Sequence, residues 1–364
     1  MESLGVTAFG EVYRNRRVLL TGHTGFKGSW LALWLKTLGA KVTGLALEPE
    51  TTPSHWGLLG LGIDDKRVDI RDAEAVADIV NSSSPEIVFH LAAQSLVRRS
   101  YRNPLETWST NVMGTANVLE ACRHKSGIRA IVVITTDKCY ENQESELGYR
   151  EDDRLGGHDP YSASKAGAEL VVSSYRDAFF EGQGAPLLAS ARAGNVIGGG
   201  DWSDDRLIPD LVRAVAQKET LEIRSPNATR PWQYVLESLS GYLCLGRKLI
   251  ENKKEFAEAW NFGPDDNGNR TVKEVLSRLK KEWPALDWKT IDNRQQPHEA
   301  SLLHLDSMKA RQKLAWKPVW SFDEGLGTTA EWYRANLEQK VVISLDQLES
   351  YVAAARNSDL EWSR

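Results

Sequence analysis

Tyr161 and Lys165 are the side chains of this sequence best suited to move a proton. They stand four residues apart in a segment, 160–180, that the pattern predicts to be a helix, so both project from one face. A tyrosine must lose about three pKa units, or about 4 kcal/mol, to act as a base near neutral pH. A neighbouring ammonium and the positive N-terminal end of the helix both favour the phenolate. The spacing indicates a tyrosine base, although a Tyr–Lys pair on a protein surface would look the same.

A second polar cluster, Thr136-Asp137-Lys138, follows the apolar run 130–135, which is the least ambiguous strand of the sequence. It would leave this strand at the carboxyl end, where ligands bind in parallel sheets. A carboxyl and an amine at such a place are candidates for proton transfer to and from a substrate. The alternative interpretation is a solvated Asp–Lys pair at the end of a strand.

Three glycines, Gly22, Gly25 and Gly28, lie in a loop between the apolar run 18–20 and an apolar segment, 29–35. In a strand–turn–helix unit the first glycine allows a tight turn, the second lets a pyrophosphate approach, and the third lets the helix pack on the strand. The helix would offer unpaired N–H groups and the positive end of its dipole to phosphate. The loop predicts a dinucleotide site, and an ordinary turn is the alternative.

These groups are carried by alternating strands and helices. Strands are predicted at 18–20, 41–47, 67–70, 86–91, 130–135 and 186–191. Helices are predicted between them at 29–35, 73–80, 105–124 and 160–180, the last with Asp159 as its N-cap and Pro160 in its first turn. The alternation predicts an α/β fold built on a doubly wound parallel sheet, with ligands outside the carboxyl ends of the strands.

The second half of the chain has a looser pattern. Helices are predicted at 207–217, 235–250 and 272–283, with short strands such as 260–262 between them. We predict a dinucleotide-binding domain over 14–193 and a smaller mixed α/β substrate domain over 194–338, lying over the open edge of the sheet. The tail 339–364 is amphipathic and is expected to pack on the body of the protein.

The composition is that of an ordinary globular protein, with 41% hydrophobic and 26% charged residues. A net charge of −5 gives no support for a nucleic-acid or membrane partner. No apolar run approaches the roughly 20 residues that span a bilayer, and residues 1–17 lack the apolar segment of a signal peptide. Cys122 and Cys244 lie in apolar stretches without metal-ligand spacing. Buried free thiols, a cytoplasmic location and no bound metal are therefore expected.

The combination of glycine loop, alternating strands, Tyr161 and Lys165 resembles the extended short-chain dehydrogenase/reductases. Longer stretches resemble the nucleotide-sugar 4,6-dehydratase branch of that superfamily: 21–30 (TGHTGFKGSW), 136–142, 159–165, 206–210, 230–233 and 260–264. The resemblance covers roughly residues 14 to 335 and extends to the members that act on CDP-glucose. It implies a Rossmann fold, NAD as cofactor, and CDP-glucose as small-molecule substrate. The implied product is CDP-4-keto-6-deoxyglucose, formed with loss of water as hydride passes internally from C4 to C6.

The resemblance also implies roles for individual residues. Tyr161 would take the C4 hydroxyl proton with Thr136 bonded to the same hydroxyl, Asp137 would protonate the departing C6 oxygen, and Lys138 would stand near C5. Cofactor-binding residues implied in this way are Gly22, Thr24, Gly25, Phe26, Lys27, Gly28, Asp69, Ile70, Leu91, Ala92, Ala93, Tyr161 and Lys165. Substrate-binding residues implied are Gln94, Asn195, Arg206, Leu207 and Arg230. Guanidinium groups suit a diphosphate, and a surface charge is the alternative for either arginine.

Two positions depart from the family pattern. Lys138 stands where dehydratases acting on dTDP-glucose have glutamate, so the identity of the base at C5 stays open. Ala46 replaces the acidic residue expected to hold the adenosine ribose, and Glu48, two residues on, faces the same way. No Lys or Arg lies between Ala46 and Asp65 to bind a 2′-phosphate, which favours NAD, whereas Lys27 favours NADP.

Two other functions fit the same fold. A nucleotide-sugar 4-epimerase would release a product without losing water. A non-catalytic dinucleotide-binding protein usually lacks one of Tyr161 and Lys165. Asn111, in a stretch (111–115) that resembles the helix signature of the extended members, is either functional or a buried structural residue. Helices 105–124 and 160–180 match those that form a four-helix interface in relatives, so a homodimer or a dimer of dimers is expected.

Overall fold

A computed structural model describes residues 7–145, 147–223, 225–264, 268–291 and 303–364. The strands are β1 (Arg17–Thr21), β2 (Lys41–Ala46), β3 (Asp64–Arg67), β4 (Ile87–His90), β5 (Ala130–Ile134), β6 (Leu187–Ala193), β7 (Asn195–Ile197), β8 (Leu221–Ile223), β9 (Thr229–Tyr234), β10 (Ala259–Phe262), β11 (Asn269–Thr271) and β12 (Trp288–Thr290). The α-helices are α1 (Phe26–Thr37), α2 (His55–Leu59), α3 (Ala73–Ser83), α4 (Val97–Arg102), α5 (Pro104–Trp108), α6 (Gly114–Arg123), α7 (Pro160–Phe179), α8 (Leu207–Gln217), α9 (Val235–Ile250), α10 (Val272–Glu282), α11 (Met308–Lys313), α12 (Phe322–Arg334) and α13 (Ser344–Asn357).

The centre of the molecule is a parallel sheet. Within the described ranges it has seven strands in the order β10-β6-β5-β4-β1-β2-β3, and every neighbouring pair is parallel. Strands β4, β5 and β6 are buried at every residue, because separate hydrophobic clusters fill the space between the sheet and the helices on each face. The predicted doubly wound α/β fold is confirmed.

The third strand lies earlier in the chain than predicted. The structure places β3 at Asp64–Arg67, paired with β2 from Thr43↔Asp64 to Ala46↔Arg67, so the prediction of a strand at 67–70 was wrong. As an edge strand β3 is mostly exposed, and its residues carry no apolar signal. The apolar Ile70 instead packs against the start of α6, where a Cβ on Gly114 would lie 2.5 Å from Ile70 Cδ1.

The predicted helix 105–124 contains a wide turn. Helices α5 and α6 are joined by a π-helical turn over Ser109–Met113, which inserts an extra residue into the helix. Such turns are frequent at functional sites, and this one contains Asn111. The predicted helix 160–180 is α7, and the Asp159 side chain accepts a hydrogen bond from Ser162 N at its start, which confirms the N-cap.

The second half of the chain contributes to the main sheet as well as to smaller ones. Strand β10 pairs with β6 from Ala259↔Ser190 to Phe262↔Ala193, so a strand of the predicted substrate domain extends the sheet of the first. Two smaller sheets, β11-β9-β7 and β12-β8, are formed by the strands of the second half in the described part of the chain. The division near residue 193 remains a prediction.

The C-terminal segment packs on the body, as predicted. Helix α13 buries Leu348 and Val352, and the Tyr351 ring lies 5.8 Å from Trp34 and 5.9 Å from Trp362 between centroids. Among the helices of the described residues, none combines the length and apolar character needed to cross a membrane. Cys122, Cys139 and Cys244 are buried free thiols.

Candidate active site

All the catalytic, cofactor and substrate residues named from the sequence line one cleft. The cleft has a volume of about 1000 Å³ and lies at the carboxyl ends of β1, β4 and β5. Residues 7–145, 147–223, 225–264, 268–291 and 303–364 include no cluster of three or more His, Cys, Asp and Glu side chains able to hold a metal ion. Because the carboxyl ends of these parallel strands meet at one edge of the sheet, the fold brings together residues that are far apart in the chain.

The glycine loop forms a cradle at the start of α1. Gly22 has φ of 74°, and a Cβ on it would lie 2.6 Å from Ala92 N. A Cβ on Gly28 would lie 2.0 Å from the Gly22 carbonyl oxygen, so this glycine is required where the helix packs on the turn. At Gly25 a Cβ would meet only the Gly22 oxygen, at 3.4 Å. The protein thus leaves open the place beside Gly25, at a helix N-terminus, that a pyrophosphate requires, and the site fits a dinucleotide.

Lys27 extends from this loop into the interior of the cleft. Its Nζ lies 3.1 Å from the Tyr242 hydroxyl. Burial, with a smaller effect from the positive charge of Arg206, lowers the pKa of Lys27 to about 7, although Asp137 opposes the shift. A lysine that titrates near neutral pH stands between the predicted cofactor loop and the predicted reaction centre.

At the adenosine end, an arginine lies beside the position of the missing acidic residue. Arg67 pairs with Ala46 in the sheet and donates to the Leu47 carbonyl oxygen at 2.9 Å. Its guanidinium is neutralised by Asp65 at 2.7 Å and by Glu48 at 3.4 Å. The sequence argument that no cation stands near Ala46 missed Arg67, because the cation comes from the neighbouring strand. Since two carboxylates already pair with it, Arg67 favours NAD over a cofactor with a 2′-phosphate.

Asp69 follows β3 and forms an ion pair with Arg71. Its carboxylate accepts hydrogen bonds from Arg71 N and Arg71 Nε, both at 2.9 Å. The hydrogen bond from the Arg71 side chain lowers the pKa of Asp69. Both residues line the cleft, so Arg71 lies beside the cofactor-binding position predicted from Asp69 and Ile70.

Asn111 connects the loop after β4 with α7. Its Oδ1 accepts from Gln94 N at 2.8 Å, and its Nδ2 donates to Gln94 O at 3.0 Å and to Ser164 Oγ at 2.8 Å. These contacts favour the structural interpretation of Asn111. The side chain of Gln94 donates to Thr107 and accepts from Leu96 N, so its substrate contact remains a prediction.

Tyr161 lies in the first turn of α7 and is buried. Burial raises its pKa to about 12, although a hydrogen bond with Thr136 and the charge of Arg206 lower it. The expectation that neighbouring positive charges favour the phenolate is thus outweighed by burial in this structure. Lys165 is also buried, donates from Nζ to the Ile134 carbonyl oxygen at 2.9 Å, and has its pKa lowered by burial to about 8.

The turn after β5 carries the second polar cluster. Asp137 and Lys138 lie in a 3-10 turn, Asp137–Cys139, whose N-cap is Thr136. The Thr136 hydroxyl donates to Asp137 Oδ1 at 2.8 Å, and Lys138 Nζ lies 3.6 Å from the same oxygen. A Cβ on Gly194 would lie 3.0 Å from Asp137 Oδ2. The carboxyl group is therefore enclosed by protein, whereas the lysine side chain remains 29% exposed.

The predicted substrate residues come from the second half of the chain. Arg206 pairs with Asp201, whose Oδ2 lies 3.0 Å from the guanidinium, and it is near enough to Tyr161 to lower its pKa. Arg230 lies on β9 and donates to the Thr229 carbonyl oxygen. Asn195 begins β7 and Leu207 begins α8. The second half thus supplies two guanidinium groups to a cleft whose cofactor loop belongs to the first half.

Sequence reasoning did not identify Glu169 and Arg192, a buried ion pair with a separation of 2.9 Å behind the site. Two signals were available: a carboxylate one turn after Lys165, and an arginine within the apolar strand β6. Buried charges are rare unless they are paired.

Comparison with known proteins identifies relatives over nearly the whole chain. The model of the GDP-mannose 4,6-dehydratase family matches residues 19–329. A CDP-glucose 4,6-dehydratase of Salmonella typhimurium is 46% identical, and the alignment covers 94% of this chain and 98% of that protein. A dTDP-glucose 4,6-dehydratase of Streptomyces venezuelae, solved with NAD bound, has a TM-score of 0.76 at 25% identity, covering 89% of this chain and 98% of that one. A UDP-glucose 4-epimerase of Thermotoga maritima reaches the same TM-score of 0.76 at 23% identity, over 88% of this chain and 99% of that one, and so shares the fold.

Proposed function

Since the chain belongs to the GDP-mannose 4,6-dehydratase family, we propose that it converts CDP-glucose to CDP-4-keto-6-deoxyglucose with loss of water. One observation carries the proposal: Tyr161, Thr136 and Asp137 line one cleft, where the Thr136 hydroxyl donates to Asp137 Oδ1 at 2.8 Å and Thr136 is close enough to Tyr161 to lower its pKa. A base for oxidation at C4 and an acid for loss of the C6 hydroxyl thus meet in one cleft. A 4-epimerase has no use for that acid.

The cofactor of this NAD-dependent enzyme fits the glycine cradle. Gly22, Gly25 and Gly28 would hold its pyrophosphate with the N-terminus of α1, and Asp69 with Ile70 would face its adenine. Leu91, Ala92 and Ala93, whose loop is held by hydrogen bonds from Leu91 N and Ala92 N to Thr21 Oγ1, would lie beside the nicotinamide ribose. When bound, NAD supplies the acceptor for hydride from C4 and its donor to C6.

Tyr161 takes the proton of the C4 hydroxyl, and Thr136 holds that hydroxyl by a hydrogen bond. Burial raises the pKa of Tyr161, so deprotonation depends on the groups that oppose burial. These are Thr136, Arg206 and the positive end of α7. The ketone formed at C4 then acidifies the C5 hydrogen.

Loss of water is assigned to the turn after β5. Asp137 gives a proton to the departing C6 oxygen, and Lys138 is the candidate to receive the C5 proton. Lys138 Nζ lies 3.6 Å from Asp137 Oδ1, so the two groups can exchange a proton with little movement. Arg206, Arg230, Asn195 and Leu207 would hold the diphosphate and the base, because guanidinium groups bind phosphate oxygens in bidentate pairs.

An isotope experiment tests the proposed reaction. With deuterium at C4 of CDP-glucose, we expect the label at C6 of the same product molecule, because the hydride does not leave the site. Mass spectrometry of mixed labelled and unlabelled substrate measures this transfer together with the loss of water. A product of unchanged mass would indicate an epimerase, and the absence of any reaction would indicate a binding protein.

Lys27 predicts a pH dependence of cofactor binding. Its pKa of about 7, caused mainly by burial, means that the ammonium form is present below this pH and is lost above it. A bound diphosphate stabilises the ammonium, so NAD affinity should fall as pH rises above 7, by about tenfold for each unit by which binding raises the pKa. Calorimetric titration between pH 6 and pH 9 measures this, and Lys27→Met should flatten the curve. An equally steep fall in the variant would assign the effect to another group.

The expected dimer has a candidate surface on the helices that follow β4 and β5. Large apolar side chains are exposed there by these fractions: Leu105 84%, Trp108 41%, Met113 57%, Leu170 62% and Phe179 46%. A cluster of this kind favours a protein–protein contact, and a homodimer formed through these helices is the proposed occupant.

Placing a charge in this surface should separate the subunits. Leu170→Glu would bury a carboxylate in the contact, and we expect monomers in sedimentation velocity at concentrations where the wild type is dimeric. Val341→Glu is a matched control, because Val341 is 46% exposed and the residues that follow it pack in the hydrophobic cluster separate from the one that holds α6 and α7. A dimeric Leu170→Glu protein would place the contact elsewhere.

A further inference from the structure

A buried polar network lies behind the turn that carries Asp137 and Lys138. It consists of Thr135, Glu169, Arg192, Tyr140 and Asn261, and we call it the support network. None of its members is more than 5% exposed. Thr135 follows β5, Tyr140 follows the turn, and the other three residues lie on α7, β6 and β10, so the network connects the two halves of the chain directly beneath the site.

Glu169 is the acceptor of the network. It accepts hydrogen bonds from the hydroxyl of Thr135, from Ser190 Oγ at 2.7 Å and from Arg192 Nη2 at 2.9 Å. Thr135 immediately precedes Thr136, and Glu169 lies one helical turn after Lys165. The carboxylate therefore ties the entrance of the turn to the helix that carries Tyr161 and Lys165.

Arg192 continues the network to the other end of the turn. Its Nη1 donates to the Tyr140 hydroxyl at 2.6 Å, and the guanidinium lies 4.9 Å from the centroid of the Tyr140 ring. The Tyr140 hydroxyl in turn donates to Asn261 Oδ1 at 2.8 Å. Tyr140 immediately follows Cys139, the last residue of the 3-10 turn. The Glu169–Arg192 ion pair thus holds Thr135, which precedes the N-cap of the turn, and Tyr140, which follows the turn.

Strand β6 adds a third contact. Two residues after Arg192 stands Gly194, whose Cα faces Asp137 so closely that a Cβ would lie 3.0 Å from Oδ2. A shift of Arg192 would therefore move the backbone at Gly194, which contacts the Asp137 carboxylate. Apolar residues often stabilise a core as well as a buried ion pair does, so stability alone gives no reason for a charged pair here.

We propose that Glu169 and Arg192 are positioning residues for the elimination step, and that they act through Tyr140 on Asp137 and Lys138. This inference rests on the proposed function for what the turn does. They set the turn against Tyr161 so that oxidation at C4 and expulsion of the C6 hydroxyl occur on one bound sugar. A misplacement of catalytic groups by about 1 Å can lower the rate about a hundredfold. The support network would prevent such a displacement of the turn.

Tyr140→Phe tests the proposal with little disturbance of the core. It removes the hydroxyl that joins Arg192 to Asn261 but keeps the ring that stacks on Tyr149 at 5.2 Å. We expect kcat to fall by about tenfold to a hundredfold, with reduced nicotinamide accumulating during turnover because oxidation continues while elimination slows. Loss of folded protein alone would lower both steps together and leave the reduced fraction unchanged.

Tyr13→Phe is the matched control. Tyr13 is fully buried and its hydroxyl donates to the Leu243 carbonyl oxygen at 2.6 Å, remote from the turn. This variant loses a buried hydroxyl of the same kind, and its reduced fraction during turnover should equal that of the wild type. An equal rise in both variants would overturn the proposal.

A double-mutant cycle shows whether Tyr140 affects elimination through Asp137 or independently of it. Once Asp137→Asn has removed the acid, Tyr140→Phe should slow elimination by less than twofold further, because energies of coupled residues are not additive. Full additivity would overturn the proposal. Glu169→Gln should give the same pattern, since an amide cannot accept from all three donors.

A readout without substrate keeps this inference distinct from the proposed function. Crystal structures of wild type and Tyr140→Phe should show Asp137 displaced relative to Tyr161, or in several conformers, in the variant alone. An unchanged turn would overturn the positioning role whatever the substrate is. If the turn moves but the wild type does not dehydrate CDP-glucose, the proposed function fails and the structural part of the inference stands.

Discussion

Tyr161→Phe should stop the reduction of bound NAD by CDP-glucose. Tyr161→Phe removes the phenolic oxygen proposed to take the C4 hydroxyl proton, and a positioned base contributes about 10²–10⁴-fold to such a step. The loss should appear in the first step, so stopped-flow absorbance should show no rise in reduced nicotinamide within the time of a wild-type turnover. The fold should survive, because the ring remains and only one buried hydroxyl is removed.

The pH dependence of this step tests whether Tyr161 is the base. Burial raises the pKa of Tyr161 above the usual value. Since the proposed base acts in its deprotonated form, the wild-type oxidation rate should rise with pH at all values below this pKa. That dependence should be absent from the residual rate of Tyr161→Phe. Tyr175→Phe, which removes a hydroxyl on the same helix bonded to Glu120 at 3.1 Å, should retain it. If Tyr161→Phe oxidised the substrate at the wild-type rate, another group would be the acceptor of the C4 hydroxyl proton.

Asp137→Asn should stop the reaction at a later point. Hydroxide is a poor leaving group, so loss of the C6 oxygen requires a proton donor, and a positioned acid contributes about 10²–10⁴-fold. An amide keeps the shape of the side chain and can still accept from Thr136, but it has no proton to give. In the proposed mechanism, oxidation at C4 uses Tyr161 and Lys165 and should proceed, so reduced nicotinamide should accumulate in the variant and remain low in the wild type.

The two outcomes distinguish a dehydratase from a simpler oxidoreductase. A 4-epimerase would tolerate Asp137→Asn with little change, whereas both enzymes require Tyr161. If the Asn variant turned over at the wild-type rate, the acid would be Lys138 or a bound water. Lys138→Met, which removes the ammonium 3.6 Å from Asp137 Oδ1, separates these alternatives by whether reduced nicotinamide then accumulates.

Local patterns in the sequence were sufficient to predict the elements that carry the site. The apolar runs predicted the buried strands β4 and β5, because a parallel strand covered on both faces must be apolar throughout. The Asp159 N-cap and the packing of Gly28 on Gly22 could be predicted because these contacts are made within a few residues of chain. The shared face of Tyr161 and Lys165 followed from helical geometry.

Contacts between distant segments could not be predicted in this way. Strand β3 was displaced by three residues because an exposed edge strand carries no apolar signal. The neutralised Arg67 depends on the pairing of β2 with β3, and the π-helical turn at Asn111 depends on packing and hydrogen bonds to other segments. Each of these features is set by through-space neighbours.

By itself, the sequence determined the chemistry available: a glycine cradle, a tyrosine with its lysine, and an aspartate after the fifth strand. Only the tertiary structure decided how these groups behave. Burial raises the pKa of Tyr161 to about 12 and lowers that of Lys27 to about 7, against the values that solvent-exposed groups would have. The pair Glu169–Arg192 exists only because α7 and β6 meet beneath the turn. Desolvation and charge proximity depend on distances across the fold, and the order of residues along the chain does not contain those distances.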